Sequence, residues 1–268
     1  MKNREITQAS LKRVKELLAN IQNMSKEEYQ ELLDSMVKFH NYSFYNQMIL
    51  GFYGCSQVAG YKKWQELGRR IKKGSKAVWI LAPYLKKEIV ENEEGKEEET
   101  KRLAGFFSVP VFDIADTEGE EIKRGMTTYS GITLDKVKDF ARSQGYTVKM
   151  EPLEIKLGGY IKERKIVLNR NLNQVENTGT LIHELVHGEL NHNGKDSKVS
   201  AKVAEQQAET ATYLVCQVLG IERKSEFYLK SWQLSEDIVK DVQKIDKVAR
   251  KIIGAINNKG GDIPPEGA

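Results

Sequence analysis

Apolar residues recur at helical spacing in "SKEEYQELLDSMVKFH", and Ser25 with Glu28 three positions on has the pattern of a capping box, which predicts a helix opening at Ser25. An earlier helix over 8–22 and a third over 43–53 follow from the same periodicity. After a turn at Gly60, "YKKWQELGRRIKKGSKAVWILAPYL" predicts a short helix, a stop at Gly68, a basic loop and a strand. That strand is expected to pair with "RLAGFFSVPVFDI" as a long hairpin, with the acidic "ENEEGKEEE" as its solvated tip. The polar, turn-rich "FDIADTEGEEIKRG" is expected to be a linker, placing a domain boundary near 117–128. Beyond it the pattern predicts a helix in "LDKVKDFARSQG" ending on Gly145 and a hairpin in "LGGYIKERKIVLN". Two helices follow, one through "TLIHELVHGEL" and one through "KVAEQQAETATYLVCQVLG" stopped by Gly220. A last amphipathic helix covers about 234–257. Helices and hairpins that do not alternate regularly indicate an α+β chain.

Composition narrows the class. Of 268 residues, 40% are hydrophobic and 30% charged, as a globular protein requires, and no run of about 18 apolar residues suggests a membrane span or a signal peptide. Cys55 and Cys216 are distant and each sits in apolar sequence, so they are expected to be packed thiols in a reducing, cytoplasmic compartment. The net charge of +4 averages unlike segments. Residues 1–90 hold 16 Lys/Arg against 8 Asp/Glu, whereas 91–121 hold 3 against 11, so the basic excess lies in the front of the chain.

The sharpest chemical signal is "HELVH". His183 and His187 are four residues apart, so a helix projects both imidazoles from one face toward a shared metal. Glu184 is placed to take a proton from an attacking water, and one Zn2+ suits such a site. For the third ligand, His192 falls half a turn round an unbroken helix and is expected instead near the helix C-terminal dipole. Leu190 and Asn193 stand where the metzincin pattern needs Gly and His. The next helix offers Glu205 and Glu209 on one face. Glu205 is preferred as ligand and Glu209 as acceptor of a ligand histidine's free N–H, with the reverse left open. Tyr213, two turns further, is a candidate substrate contact, and Cys216 lies about 16 Å along the helix from Glu205, too far to join.

A second signal lies upstream. Lys62, Lys63, Arg69, Arg70, Lys72, Lys73 and Lys76 surround Trp64, a mixture of cations and aromatic surface that suits single-stranded nucleic acid. Tyr42, Tyr45 and Asn46 are candidates to extend that surface. Core tryptophans and a solvated charged face account for the same composition.

Taken together, "FHNYSFYNQMIL", "VAGYKKWQELGRRIKKGSKAVWILAP" and "VPVFDIADTEG" resemble the N-terminal domain of ArdC-type antirestriction proteins. "GGYIKERKIVLN", "TLIHELVHGEL" and "AEQQAETATYLVCQVLGI" resemble the zincin-like domain of ArdC- and LtrC-type proteins, related to the ImmA/IrrE metallopeptidases. The resemblance implies an N-terminal helical and β-hairpin single-stranded-DNA-binding domain over 1–120. It also implies a zincin-like α+β metallopeptidase domain with a C-terminal helix over 121–258, then a flexible tail over 259–268. The metal site it implies is gluzincin-like, with His183, His187 and Glu205 as ligands and Glu184 as base. The implied role is protection of incoming single-stranded DNA in bacteria carrying conjugative plasmids or phages, with a protein or peptide as a second partner and no membrane. Two alternatives are a DNA-triggered peptidase that cleaves a regulator and a DNA-protecting module with a silent zinc domain.

Overall fold

The computed structural model describes residues 2–91, 96–122, 131–154, 156–194, 197, 199–222 and 236–257. It is a mixed helix and strand, α+β fold that divides into two compact units. The first gathers residues 2–18 and 45–122, and the second gathers 19–44 with the described residues from 131 onward.

In the first unit α1 (Lys2–Asn20) and α3 (Phe44–Phe52) support a long ribbon in which β3 (Val78–Glu91) runs antiparallel to β4 (Glu97–Asp113). Leu81 and Ser108 are register partners in that ribbon. Each has its backbone polar groups taken by an asparagine from a helix: Asn46 donates to Leu81 O and accepts from Leu81 N, both at 2.8 Å, while Asn3 does the same for Ser108 at 2.9 and 3.1 Å. Buried strand edges therefore keep their hydrogen bonds where no third strand reaches them. The short β1 (Val58–Ala59) adds to the other end of β4.

The predicted hairpin is present, but its acidic segment is only partly a tip, because Glu97 to Glu99 already pair with β3. The expected basic loop and the front part of the expected linker are also corrected. Arg69–Ile71 form β2 and pair antiparallel with Thr117–Gly119, β5. Cations of the one segment bind hydroxyl and carbonyl oxygens of the other: Arg69 donates to Thr117 Oγ1 at 2.7 Å and to Thr117 O at 3.1 Å, and Lys72 Nζ donates to Ala115 O at 2.8 Å. Short polar strands joined by side-chain bonds carry little hydrophobic periodicity, so pattern alone misses them.

The second unit is built on a mixed three-stranded sheet. Its order is β6 (Thr147–Glu151), β8 (Lys165–Asn169), β7 (Gly159–Lys162). The β7–β8 hairpin was legible, whereas the parallel β6–β8 pair was not, since β6 exposes polar residues. Ile166, Val167 and Leu168 of β8 are fully buried, as are Leu181, Ile182 and Leu185 of α6 (Gln174–Glu189). α5 (Leu134–Ser143), α7 (Ala201–Leu219) and α8 (Glu236–Ile256) complete the core with Val137, Ala208, Ala211, Val215, Val242 and Ile245.

The second unit also takes in α2 (Lys26–Lys38), which the sequence reading assigned to the front domain. Its capping box forms as expected between Ser25 and Glu28. The reason for its placement is packing: Tyr29 and Leu33 are buried, and Gln30 and Asp34 both bond the Tyr213 hydroxyl of α7, at 2.7 and 2.9 Å. Both cysteines are buried thiols. Among the described residues, no helix is long and apolar enough to cross a membrane. The expected tail over 259–268 lies outside the described residues.

Candidate metal centre and basic segment

α6 opens on a capping box of Asn173 and Glu176 and runs sixteen residues, so His183 and His187 sit one turn apart on its inward face. Their Nε2 atoms are 3.0 Å apart. Glu205, one turn into α7, brings Oε2 to 3.5 Å from His183 Nε2 and Oε1 to 3.4 Å from His187 Nε2. Ligand atoms of these three residues all lie within 4.8 Å of one another. Glu209, a turn further along α7, lies 3.2 Å from His183 Nδ1 through Oε1.

Burial differs across the cluster in a useful way. His187 is buried and His183 nearly so, whereas the Glu205 side chain keeps 61% of its exposure. One side of the cluster therefore faces solvent. Burial, reinforced by repulsion from His183, pushes His187 down to about 4, so its ring is neutral at pH 7 and retains a lone pair. The hydrogen bond with His183 holds the Glu205 carboxyl below its usual range, against the opposing effect of burial. Two imidazoles and a carboxylate pointing at one space form a donor set that suits a divalent cation. Glu184, between the two histidines in sequence, is buried.

His192 requires a correction. His192 lies just past the end of α6 as expected, but its opposite-face placement holds only for an unbroken helix, whereas α6 ends at Glu189 and Asn191 adopts the left-handed conformation with φ 59°. Asn191 N bonds Gly188 O and His192 N bonds His187 O, the paired bonds of a Schellman ending. This turn folds His192 back, so that its Nδ1 lies 2.9 Å from His187 Nδ1, on the far side of that ring from Glu205. Asparagine at such a position is the sequence signal that marked the turn. Tyr213, the candidate substrate contact, has its hydroxyl bonded to Asp34 and Gln30 of α2.

Trp64 is fully buried and donates its indole N–H to Phe112 O at 2.9 Å, and Asn46 is fully buried against Leu81. Neither presents a face to a base, so both are removed from the candidate surface. Arg69 and Lys72 bond backbone carbonyls of the β5 turn. Tyr42 is half-buried, with its ring edge-on to Phe39 at 6.0 Å. Lys62, Lys63, Arg70, Lys73 and Lys76 are exposed, Lys63 pairing with Glu66 at 3.0 Å and Arg70 with Glu118 at 3.8 Å.

Aromatic surface in this unit comes from residues that the sequence reading passed over. Tyr61 is 56% exposed beside Lys62. Tyr84 and Phe107 are exposed on the ribbon face that also carries the register partners Lys86 and Arg102. Large aromatics on a ribbon look like core residues until their exposure is known.

Fold and site thus define an α+β protein with a ribbon-bearing front unit and a His–His–Glu cluster in the rear. Residues 3–112 match the family model described as the N-terminal domain of anti-restriction factor ArdC. The chain is 24% identical over 299 residues to an uncharacterized Bacillus anthracis protein designated pXO2-81, an overlap of 90% of this chain and 50% of the relative. It therefore spans about half the length of the curated relative it matches. Among solved structures it resembles the antirestriction ArdC protein from the R388 plasmid at 18% identity. The metal-free crystal structure gives a TM-score of 0.44 over 85% of this chain and 94% of that one. The Mn(II)-bound structure gives 0.47 over 87% and 99%.

Proposed function

We propose that this is an antirestriction-type protein that binds single-stranded DNA through its front unit and carries a divalent-metal centre of the zinc-peptidase type in its rear unit. The observation that carries the metal half is the convergence of His183 Nε2, His187 Nε2 and the Glu205 carboxylate within 4.8 Å. His183, His187 and Glu205 would hold the cation, and zinc is suited to such a nitrogen and oxygen donor set. When bound, such a cation supplies Lewis acidity, polarising a carbonyl and acidifying a neighbouring water. Glu184 is the proton acceptor, Glu209 orients His183, and the exposed edge of Glu205 leaves an approach for a peptide.

The DNA half is supported by the family description and by the exposed cations. Lys62, Lys63, Arg70, Lys73 and Lys76 supply phosphate contacts, and Tyr61, Tyr84 and Phe107 supply stacking faces for unpaired bases. Aromatic stacking favours single strands, whose unpaired bases expose their faces.

One experiment tests both halves. Single-stranded and duplex DNA are titrated against wild type and His183→Ala over a salt series, with Zn(II) and Mn(II) content measured on the same samples. Wild type is expected to hold one equivalent of metal and His183→Ala none, while both bind single strands more tightly than duplex and lose affinity with salt. Glu184→Gln is expected to keep the metal and lose any peptide cleavage. Metal uptake by His183→Ala would sink the ligand assignment, and equal affinity for single and double strands would sink the DNA assignment.

A further inference from the structure

Behind His187 stands a row of polar side chains that the metal reading does not use. His192 Nδ1 lies 2.9 Å from His187 Nδ1, His192 Nε2 lies 2.8 Å from Gln207 Oε1, and Gln207 Nε2 lies 2.7 Å from Asp241 Oδ2. The row crosses three elements, from the end of α6 through α7 to α8. Gln207 is 1% exposed, so both ends of its amide depend on these partners.

The direction of every bond follows from the Asp241 end. An ionised carboxylate only accepts, so Gln207 must turn its NH2 toward Asp241 and its carbonyl oxygen toward His192. That oxygen also only accepts, which requires an N–H on His192 Nε2. A neutral imidazole carries one N–H, so His192 Nδ1 is the bare nitrogen and accepts. His187 Nδ1 must then donate. His187 Nε2 is left with its lone pair, on the side where His183 and Glu205 converge.

We propose that Asp241 sets the tautomer of His187 through Gln207 and His192, preparing Nε2 as a metal ligand before any metal arrives. His192 is a positioning residue. The proposal rests on the reading of His183, His187 and Glu205 as a metal site, but its first consequence does not require metal. Ligand histidines generally donate their second N–H to an acceptor that fixes ring and tautomer, and losing that acceptor costs about 10–100-fold in metal affinity. Here the acceptor is an imidazole whose own polarity is dictated two residues away in the row.

The test uses long-range 1H–15N spectra of the metal-free full chain, and Zn(II) affinity by chelator competition. Wild type is expected to show His187 protonated on Nδ1 and His192 on Nε2. Asp241→Asn offers an NH2 in place of an acceptor and lets Gln207 reverse, so the His192 and His187 tautomers shift toward the opposite pair and Zn(II) affinity falls about tenfold. Asp241 is half-buried on α8, so this isosteric change leaves the fold intact. His192→Leu is expected to lose 10–100-fold in affinity and His192→Asn, which restores an oxygen near the Nδ1 position, to recover most of it. His187 protonated on Nε2 in wild type, or unchanged tautomers and affinity in Asp241→Asn, would overturn the proposal. Wild type that takes up no metal overturns the metal reading instead, and the tautomers then decide the relay by themselves.

Discussion

Glu209 Oε1 lies 3.2 Å from His183 Nδ1, while Glu205 Oε2 lies 3.5 Å from the same ring's Nε2. One turn of α7 thus offers a carboxylate to each nitrogen of a single histidine, and the two acids are expected to behave differently. Glu205→Ala removes a proposed ligand and is expected to abolish stoichiometric metal uptake at micromolar Zn(II). Glu209→Ala leaves the proposed ligand set intact and is expected to weaken binding by about 10–100-fold. Chelator competition on the two variants measures the order, and a larger loss in Glu209→Ala would exchange their roles.

The front unit separates cations at the surface from those inside. Replacing Lys62, Lys73 and Lys76 by serine is expected to lower the slope of log affinity against log salt for single strands by about 2, at about 0.7 per phosphate contact. The melting temperature should hold, because all three are exposed and make no ion pair among the described residues. Trp64→Ala should do the opposite, costing about 3–5 kcal/mol of stability through a core cavity. A triple variant with an unchanged salt slope would place the DNA elsewhere.

Legibility in the sequence followed the physics of each signal. The α6 and α7 helices and their His and Glu positions were readable because helical spacing fixes which residues share a face. His192 was misplaced because a single left-handed residue, Asn191, redirects the chain, and periodicity carries no information across such a turn. Trp64 was assigned to a surface because its neighbours are lysines. Its burial depends on Phe112, 48 residues away, whose carbonyl receives the indole N–H. β2 and β5 escaped for the same reason: their partnership is long-range and polar.

Alkaline pH should loosen the packing of α2 on α7. Tyr29 is buried, and burial pushes its hydroxyl up to about 12 against the lowering effect of its bond with Thr210. Folded protein therefore holds this proton more tightly than unfolded chain does. The stability it contributes is complete below about pH 10 and is lost as pH rises toward about 12, up to about 2–3 kcal/mol. Tyr29→Phe keeps the ring and removes the titration. Its stability at neutral pH is expected to fall by about 1 kcal/mol, with a shallower decline above pH 10. Urea midpoints from pH 8 to 11 compare the two, and parallel declines would place the alkaline sensitivity at another group.

Gly188 lets α6, which carries His183 and His187, pass close to Tyr146, the residue before β6. A methyl group there would overlap the Tyr146 hydroxyl and two of its ring carbons. The ring has little room to retreat, because the Arg164 guanidinium lies 4.8 Å from its centroid and Arg164 is itself bonded to Gln144 O at 3.0 Å. Gly188→Ala is therefore expected to destabilise the chain by about 1–3 kcal/mol, although alanine is the better helix former. Because Gly188 follows His187 and its carbonyl accepts from Asn191 N in the turn that returns His192, the strain should also weaken metal binding. Tyr146→Leu, which removes the hydroxyl and the ring, is expected to restore most of both losses in the double variant. Urea unfolding and chelator competition on the single and double variants measure the coupling, and additive effects would mean that the contact with Tyr146 is not what Gly188 is there to permit.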